Sequence, residues 1–275
     1  MDAKRRILIA DSGSTKTDWI MNGCLMKTSG MNPVMQNDET ILSILGKELV
    51  PQLKDRPEEV IFYGSGVRED QEVRMERLLG KALRTSGRIE AHSDMLGAAR
   101  ALCGDMEGIA CILGTGANSC LYDGRHIVKN TPAMGYVLGD EGSGAVLGKL
   151  FLNALYKGRL YRHAQEDFER NFGMSLPKVI DNVYRQPMPN RWLASLSPYI
   201  HGLLSEPSVR EIVVENFRAF FRHNIAPYGH PELPVSAVGS VAYYYRDQLE
   251  EAAVLEGCTL SRVLRSPLDD LVQME

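Results

Sequence analysis

"ILIADSGSTKTDWIM", residues 7–21, passes from an apolar stretch through an acidic residue and a Gly-Ser-Thr turn into a second apolar stretch. Ile7-Leu8-Ile9-Ala10 is short, rich in β-branched residues and stops at Asp11, the pattern of a buried strand running into a turn. Thr17-Asp18-Trp19-Ile20-Met21 reads as a second strand, and Asn22-Gly23 is the strongest short-range signal for a two-residue hairpin turn. The polar hook therefore sits between antiparallel strands. A Walker A loop needs Gly-x-x-x-x-Gly-Lys-Ser/Thr leading into a helix, and the chain has no such string. A turn rich in Gly, Ser and Thr offers backbone N–H groups and hydroxyls to an anion, while Asp11 suits a divalent cation held directly or through water. The competing reading is a hairpin whose hydroxyls satisfy only their own backbone.

Composition narrows the classes. A chain of 275 residues is long enough for two domains at a soft expectation of about 150 residues each, so each can bury a core. Its 44% hydrophobic and 24% charged content is that of an ordinary soluble globular protein. A formal net charge of -4 and a pI near 5.9 give no general attraction for nucleic acid or anionic membranes. Cys24, Cys103, Cys111, Cys120 and Cys258 are odd in number, scattered and without a CxxC pair, so neither a disulfide framework nor a zinc site is expected; they read as reduced, mostly buried thiols. Lys4-Arg5-Arg6 precedes only four apolar residues before Asp11, which is neither a signal peptide nor a membrane span. The simplest address is cytoplasmic.

Further along, strands and helices alternate. Asp38 to Leu53 has helical spacing with Asn37 or Asp38 as cap, and Val60-Ile61-Phe62-Tyr63 reads as the next strand. Glu69 to Thr85 is an amphipathic helix with Val73, Met75, Leu78, Leu79, Ala82 and Leu83 expected inward. Ile89 to His92 is a short strand feeding a helix from about Asp94 to Cys103, so the architecture is α/β.

"IACILGTGANSCLYDGRHIV", residues 109–128, repeats the logic of the first hairpin: apolar strand, glycine-containing turn, second strand and an Asp123-Gly124 hairpin turn. Superposing Gly13 on Gly116 aligns Ser12 with Thr115, and leaves Asn22-Gly23 two residues out of step with Asp123-Gly124. Two matching hooks at domain-sized separation point to an internal duplication and favour a polyphosphate gripped by two loops.

These strings carry a family resemblance. "DSGSTKTDW" (11–19) resembles the first phosphate loop of the acetate and sugar kinase, heat-shock and actin superfamily, "LGTGANS" (113–119) the second, and "VSAVGSVAYYY" (235–245) its adenosine-side motif. "GYVLGDEGSG" (135–144) resembles the N-acetylglucosamine kinase branch that includes the BadF/BadG-type ATPases. The resemblance covers most of the chain; the helical region from about Arg159 to Pro227 carries no such motif. It implies two ribonuclease-H-like, actin-like ATPase domains flanking a nucleotide cleft. The first spans 1–93, with a closing helix at about 266–275 packing back on it, and the second spans 94–265 with a helical insertion at about 159–227.

By the same resemblance, Gly13, Ser14, Thr15 and Thr17 would contact the terminal phosphates of ATP, with Lys16 either beside them or pointing to solvent, and Asp11 would be the carboxylate associated with Mg2+. Gly114, Thr115 and Gly116 correspond to the second loop. Gly239, ending the strand Pro234 to Val238, and Ser240 would let backbone approach adenine or ribose; the family often has two adjacent glycines where this chain has Gly239-Ser240. Asp94 matches the general base of similar sugar kinases, with Ser93 placed to take the helix cap that Asp94 would otherwise provide. Asn32, Asn118, Gly135, Asp140 and Glu141 are the expected sugar contacts. A turn before Pro33 competes for Asn32, and helix capping for Asp140 and Glu141.

The reaction so implied is ATP-dependent phosphorylation of an N-acetylated amino sugar, most simply N-acetylglucosamine to its 6-phosphate, with muramic-type sugars or glucosamine as variants. The alternatives are a partner-activating ATPase of the same fold, whose relatives carry cluster-binding cysteines in an arrangement without a match here, and a non-enzymatic sensor. The expected partner is a small-molecule sugar, with neither nucleic acid nor membrane; a homodimer is compatible with the sequence, which is silent on oligomeric state. The six histidines show no paired metal spacing. Tyr243-Tyr244-Tyr245 reads as packing rather than base stacking.

Overall fold

The computed structural model describes residues 5–13 and 15–271, with backbone alone for Asp269. Its chain divides into two compact units, one running up to Gly104 and taking the chain back from Ser266, the other spanning Asp105–Arg265.

In the first unit, β1 (Ile7–Ser12), β2 (Lys16–Met21), β3 (Cys24–Ser29), β4 (Glu59–Gly64) and β5 (Ile89–Ser93) form one sheet in the order β3-β2-β1-β4-β5. The first three strands are antiparallel, and β4 and β5 run parallel to β1 and β4 respectively. Asp11 and Ser12 belong to β1 rather than to the turn, because the parallel partner β4 continues the ladder through Asp11↔Tyr63 and Ser12↔Gly64. Asn22 and Gly23 take positive φ of 51° and 77° between the paired Met21 and Cys24, as a right-twisted two-residue hairpin requires.

Leu8, Ala10, Trp19 and Phe62 from the sheet are buried with Ile41, Leu45, Met75, Leu78 and Leu79 from the covering helices. The segment expected as one helix from Asp38 is an α-helix only over Asp38–Ile44, then widens through a π turn and tightens through a 3-10 turn to Gln52; Asn37 caps it, accepting from the Thr40 N–H at 2.9 Å. In the helix Glu69–Leu83 the inward stripe is Met75, Leu78, Leu79 and Leu83, whereas Val73 is 74% exposed. Two residues before Met75 is about 200° round the helix, so Val73 faces the side opposite the stripe.

The helix Asp94–Cys103 groups with this first unit, not with the second as the 93/94 boundary expects. It packs on β1, β4 and β5, and small side chains at Ala98, Ala99 and Ala101 bring it close. Gly97 sets the distance: a Cβ there would lie 2.7 Å from the Tyr63 ring carbon Cγ. The short helix Leu268–Leu271 packs on this helix and on β1 and β2, with Leu268 and Leu271 buried.

The second unit repeats the plan. β6 (Gly108–Leu113), β7 (Ala117–Tyr122), β8 (Ile127–Thr131), β9 (Val235–Val238) and β10 (Leu260–Leu264) make a sheet in the order β10-β9-β6-β7-β8. This is the first order read from the other edge. The strands correct the expected superposition: Ile7 and Gly108, and likewise Lys16 and Ala117, begin matching strands 101 positions apart. Gly13 therefore corresponds to Gly114, not Gly116, and Asn22-Gly23 falls directly on Asp123-Gly124. The hairpins differ by one residue in their pairing: four residues separate the paired Ser12 and Thr17, three the paired Leu113 and Ala117.

The helices Gly144–Tyr156 and Pro207–Phe220 supply much of this unit's core through Leu147, Phe151, Val213, Phe217 and Phe220. The region that carries no motif folds as helices Ala164–Phe172, Leu176–Tyr184, Pro189–Ala194 and Ser197–Gly202. It gathers an aromatic cluster in which Phe168 and Phe172 lie 4.8 Å apart and Phe172 and Tyr199 5.0 Å apart. Among the cysteines, Cys111 and Cys120 are buried and Cys103 and Cys258 half-buried, while Cys24, on the edge strand β3, is exposed and departs from the expectation of mostly buried thiols. Among the described residues no helix is long and apolar enough to cross a membrane.

Candidate active site

The first turn is built from below. Ser12 and Thr17, opposite each other and fully buried, bring their hydroxyls to 2.7 Å. The Ser12 hydroxyl donates to the Met31 carbonyl at 3.2 Å and accepts from the Met31 N–H at 3.1 Å, and the Thr17 hydroxyl donates to the Ser29 carbonyl at 3.2 Å. Above them the Gly13 N–H donates to the Lys16 carbonyl at 3.0 Å, and the Thr15 carbonyl accepts from Gly30 at 3.1 Å. Thr17 thus holds the turn down from inside the sheet, while Gly13, Thr15 and Lys16 are exposed. Ser14 lies outside the described residues. The same stitching brings the 29–31 segment, and hence Asn32, to the first turn. Asn32 forms an Asx turn ahead of Pro33: its Oδ1 accepts from Val34 at 3.0 Å and its N–H donates to Gln36 Oε1 at 2.9 Å.

Three carboxylates gather in this unit. Asp11 pairs directly with Asp18 across the hairpin. Its pKa is lifted from 3.8 to about 7, by burial first, then by the negative charges of Asp94 and Asp18, against the opposing pull of Lys16. Asp94 opens its helix without capping it: Ser93 Oγ accepts from the Leu96 N–H at 3.2 Å, and Asp94 Oδ1 accepts from Met95 at 2.9 Å. Burial lifts Asp94 to about 6, opposed by the N–H groups of Met95 and of Asp94 itself. Tyr63 fixes this helix from beneath, through its ring against Gly97 and its hydroxyl, which accepts from Arg100 Nη1 at 2.8 Å.

Asp18 was not singled out by sequence reasoning. The signal was present: a four-residue connection closing Ser12 on Thr17 sets Asp11 opposite Asp18, and a charged residue between Thr17 and Trp19 interrupts a buried strand.

In the second unit the turn Gly114 to Gly116 is closed by Gly114 N–H to the Gly116 carbonyl at 3.0 Å. The carbonyls of Gly114 and Thr115 accept from Gly144 and Ala145 at 2.9 and 3.1 Å, so the first N–H groups of the helix Gly144–Tyr156 brace the turn. Ser143 supplies the cap, accepting from Val146 at 3.1 Å, so neither Asp140 nor Glu141 is needed for it. Asp140 instead turns back on the loop. It has φ 55°, its carboxylate accepts from the N–H groups of Ala117 and Gly135, and a Cβ on Gly116 would lie 3.0 Å from its Oδ2. Burial raises it to about 6, the Ala117 N–H opposes this and the Glu141 charge adds to it.

Glu141 points elsewhere, with His223 Nδ1 and Asn224 Nδ2 each 3.2 Å from its carboxylate. Burial works against its charge, yet its own N–H, His223 and Asn224 hold it below the usual carboxylate range. Asn118 Oδ1 is occupied by the Ser119 N–H and by Asn130 Nδ2, both at 2.9 Å. Gly135 is exposed at φ 74°.

Gly239 has φ 125°, and a Cβ there would stand 2.3 Å from the Leu113 carbonyl oxygen, so this glycine lets the end of β9 lie against the strand entering the second turn. Ser240 is exposed at the start of the following short helix. Of the three tyrosines, Tyr245 is buried and donates to the Ser197 carbonyl at 2.6 Å, while Tyr243 and Tyr244 are exposed, with Arg265 5.6 Å above the Tyr244 ring.

The first unit thus unites Gly13, Thr15, Lys16, Asp11 and Asp94, and the second unites Gly114, Thr115, Gly116, Gly135, Asp140 and Gly239; Asn118 and Glu141 hold other polar partners. The donor set beside the first turn fits Mg2+: hard carboxylate oxygens, at Asp11 crowded by like charge that a divalent cation would relieve. Among the described residues no three His, Cys, Asp or Glu side chains converge to hold a metal. One or two carboxylates completed by phosphate oxygens and water is the shell Mg2+ commonly takes.

No family model and no curated protein matches the chain. Solved structures do. A proposed N-acetylglucosamine kinase from Porphyromonas gingivalis is 45% identical, with 98% of each chain covered and a TM-score of 0.94. A proposed N-acetylglucosamine kinase from Chromobacterium violaceum is 18% identical with 98% of each chain covered and a TM-score of 0.71. A ROK hexokinase from Thermus thermophilus is 16% identical, covering 94% of this chain and 92% of its own, with a TM-score of 0.50. The last two share the fold. On the strength of the first, the chain belongs to the N-acetylglucosamine kinase family, a carbohydrate-kinase branch of the acetate and sugar kinase, heat-shock and actin superfamily.

Proposed function

We propose that this protein uses Mg-ATP to phosphorylate an N-acetylated amino sugar, with N-acetylglucosamine as substrate and its 6-phosphate as product. The observation that carries the reading is Asp94: a carboxylate at the open first turn of a helix, relieved of capping by Ser93, in the same unit as Asp11 and the first turn. With a pKa near 6 it is ionised at neutral pH yet more basic than an ordinary Asp. This suits a group that takes a hydroxyl proton as the phosphoryl group arrives, a contribution typically worth 10²- to 10⁴-fold.

Gly13, Thr15 and Lys16 are assigned to the terminal phosphates, and Ser14 with them from the sequence pattern; Ser12 and Thr17 keep that turn in shape. Gly114, Thr115 and Gly116 are assigned to the nucleotide as the second loop, and Gly239 and Ser240 to its adenosine part. Asp11 would hold Mg2+, which when bound neutralises charge on the transferring phosphate. Because phosphoryl transfer has a loose transition state, positioning and charge do most of the work. Asp140 is the favoured sugar ligand, since its half-buried carboxylate has lone pairs beyond those held by Ala117 and Gly135. Asn32 and Gly135 are also assigned to the sugar; Asn118 and Glu141 would first have to leave their present partners.

The test is incubation with Mg-ATP and a panel of amino sugars, read by mass spectrometry. A single N-acetylated sugar gaining one phosphate supports the reading. ADP formed without regard to sugar would replace it with an ATPase, and ligand binding without turnover would replace it with a sensor.

A further inference from the structure

Asp18 is a buried charge within the first sheet. It is 8% exposed, lies in the middle of β2, and stands directly opposite Asp11, so both carboxylates lie on one face of the sheet. Its Oδ2 is 2.5 Å from Lys16 Nζ, while its Oδ1 is buried and has no hydrogen-bond partner among the described residues. Lys27, its neighbour on β3, is exposed. A hairpin that needed only stability would place Thr or Val here, since a buried carboxylate with an orphan oxygen beside a like charge opposes folding. Local conflicts of this kind are retained where they serve a site.

Lys16 shows what is served. Its side chain is 62% exposed at the lip of the first turn, yet its ammonium is drawn back onto β2 by Asp18. An unrestrained lysine there would sample many rotamers, and a phosphate would have to order it on binding. One N–H of the ammonium on Asp18 leaves two for a phosphate oxygen.

We propose that Asp18 is a positioning residue for triphosphate binding, acting through Lys16, whose ammonium it holds at the first turn before the nucleotide arrives. This rests on the kinase reading above, and it gives a role to a residue of the quoted loop string to which that reading assigned none. Asp18 touches no substrate in this scheme. It orients the cation that does.

A double-mutant cycle tests it, with Mg-ATP affinity measured calorimetrically on the full chain for wild type, Asp18→Asn, Lys16→Met and the double variant. Asp18→Asn is expected to weaken ATP about tenfold, and the double variant to bind no more weakly than Lys16→Met alone. Asp18→Glu should recover part of the loss, and the KM for sugar should not move in any of them. Multiplying penalties in the double variant, or unchanged affinity in Asp18→Asn, would overturn the proposal while leaving the kinase reading intact. Failure of the wild type to bind Mg-ATP would remove both.

Should Asp18→Asn not fold, Lys16→Met, at an exposed position, still decides the matter. Stranding Asp18 must lower the melting temperature of the ligand-free protein, and an unchanged melting temperature sinks the proposal.

Discussion

Replacing Asp94 by Asn removes a half-buried carboxylate whose pKa stands at about 6 rather than 3.8, and that offset dictates how stability must respond to pH. Below about pH 3.5 the group is protonated in the folded and unfolded chains alike and costs nothing. Between roughly pH 4 and 6 the unfolded chain surrenders a proton that the folded chain keeps, so more protons are bound in the native state and stability falls as pH rises. Above about pH 7 both states are ionised and the penalty is constant. Two units at 1.36 kcal/mol each make it about 3 kcal/mol. Asn has nearly the same shape and can still accept from the Met95 N–H, so Asp94→Asn should lack this slope. The assay is urea unfolding of both ligand-free proteins across pH 3.5 to 8, with m-values compared to exclude a change in the denatured state. The variant's advantage should grow by about 3 kcal/mol over that range, Mg-ATP affinity should hold, and sugar phosphorylation should drop by about 10²-fold or more. Parallel stability curves would refute the burial argument, and an active Asp94→Asn would remove Asp94 from the mechanism.

Gly97→Ala places a methyl 2.7 Å from Tyr63 Cγ and must lift the helix that carries Asp94; a loss of about 1–3 kcal/mol in urea unfolding and a fall in kcat larger than any change in the KM for ATP are expected. Gly239→Ala combines φ 125° with a 2.3 Å approach to the Leu113 carbonyl, so thermal melting should show a loss of several kcal/mol and nucleotide affinity should fall with it. Asp140→Asn keeps the shape against Gly116 but removes the charge; steady-state kinetics should show the KM for sugar rising about tenfold with the KM for ATP unchanged, consistent with loss of one charged hydrogen bond.

How much of this was legible beforehand depended on the range of the interactions involved. The strand pattern, the Asn22-Gly23 turn, the Asn37 and Ser93 caps and the extent of the helix Asp94–Cys103 follow from local chemistry, and the structure has them all. The duplication was visible, but its register was not: matching glycine to glycine by the surrounding hydroxyls chose Gly116. The strand bounds choose Gly114, because strands that begin 101 positions apart, and not the turn residue, set the equivalence. Val73 was misplaced because an apolar residue on a charged helix was taken as inward when its angle to Met75 says otherwise. The assignment of the helix Asp94–Cys103 to the first unit rests on packing against Tyr63 and β4, which no single string announces. Asp18 escaped notice for a different reason: its meaning lies in what stands opposite it.

The two turns are the same device put to different uses, and the difference lies in what backs each one. Behind the first stand Asp11, Asp18 and Asp94, with Lys16 as their nearby cation, so its chemistry is that of mobile protons and charges. Behind the second stands a helix whose opening N–H groups are spent on the turn's own carbonyls, with Asp140 closing the far side. A brace of that kind fixes geometry and adds little charge. On the kinase reading proposed above, the two copies of one sheet plan would divide the labour that phosphoryl transfer demands, with electrostatic tuning and proton removal in one unit and rigid backbone placement in the other. The stability penalty of uncompensated carboxylates then falls chiefly on the first unit, where a bound cation and triphosphate would relieve it. On this view the first unit gains more order from its ligands than the second, because its ligand-free state is the one held under electrostatic strain.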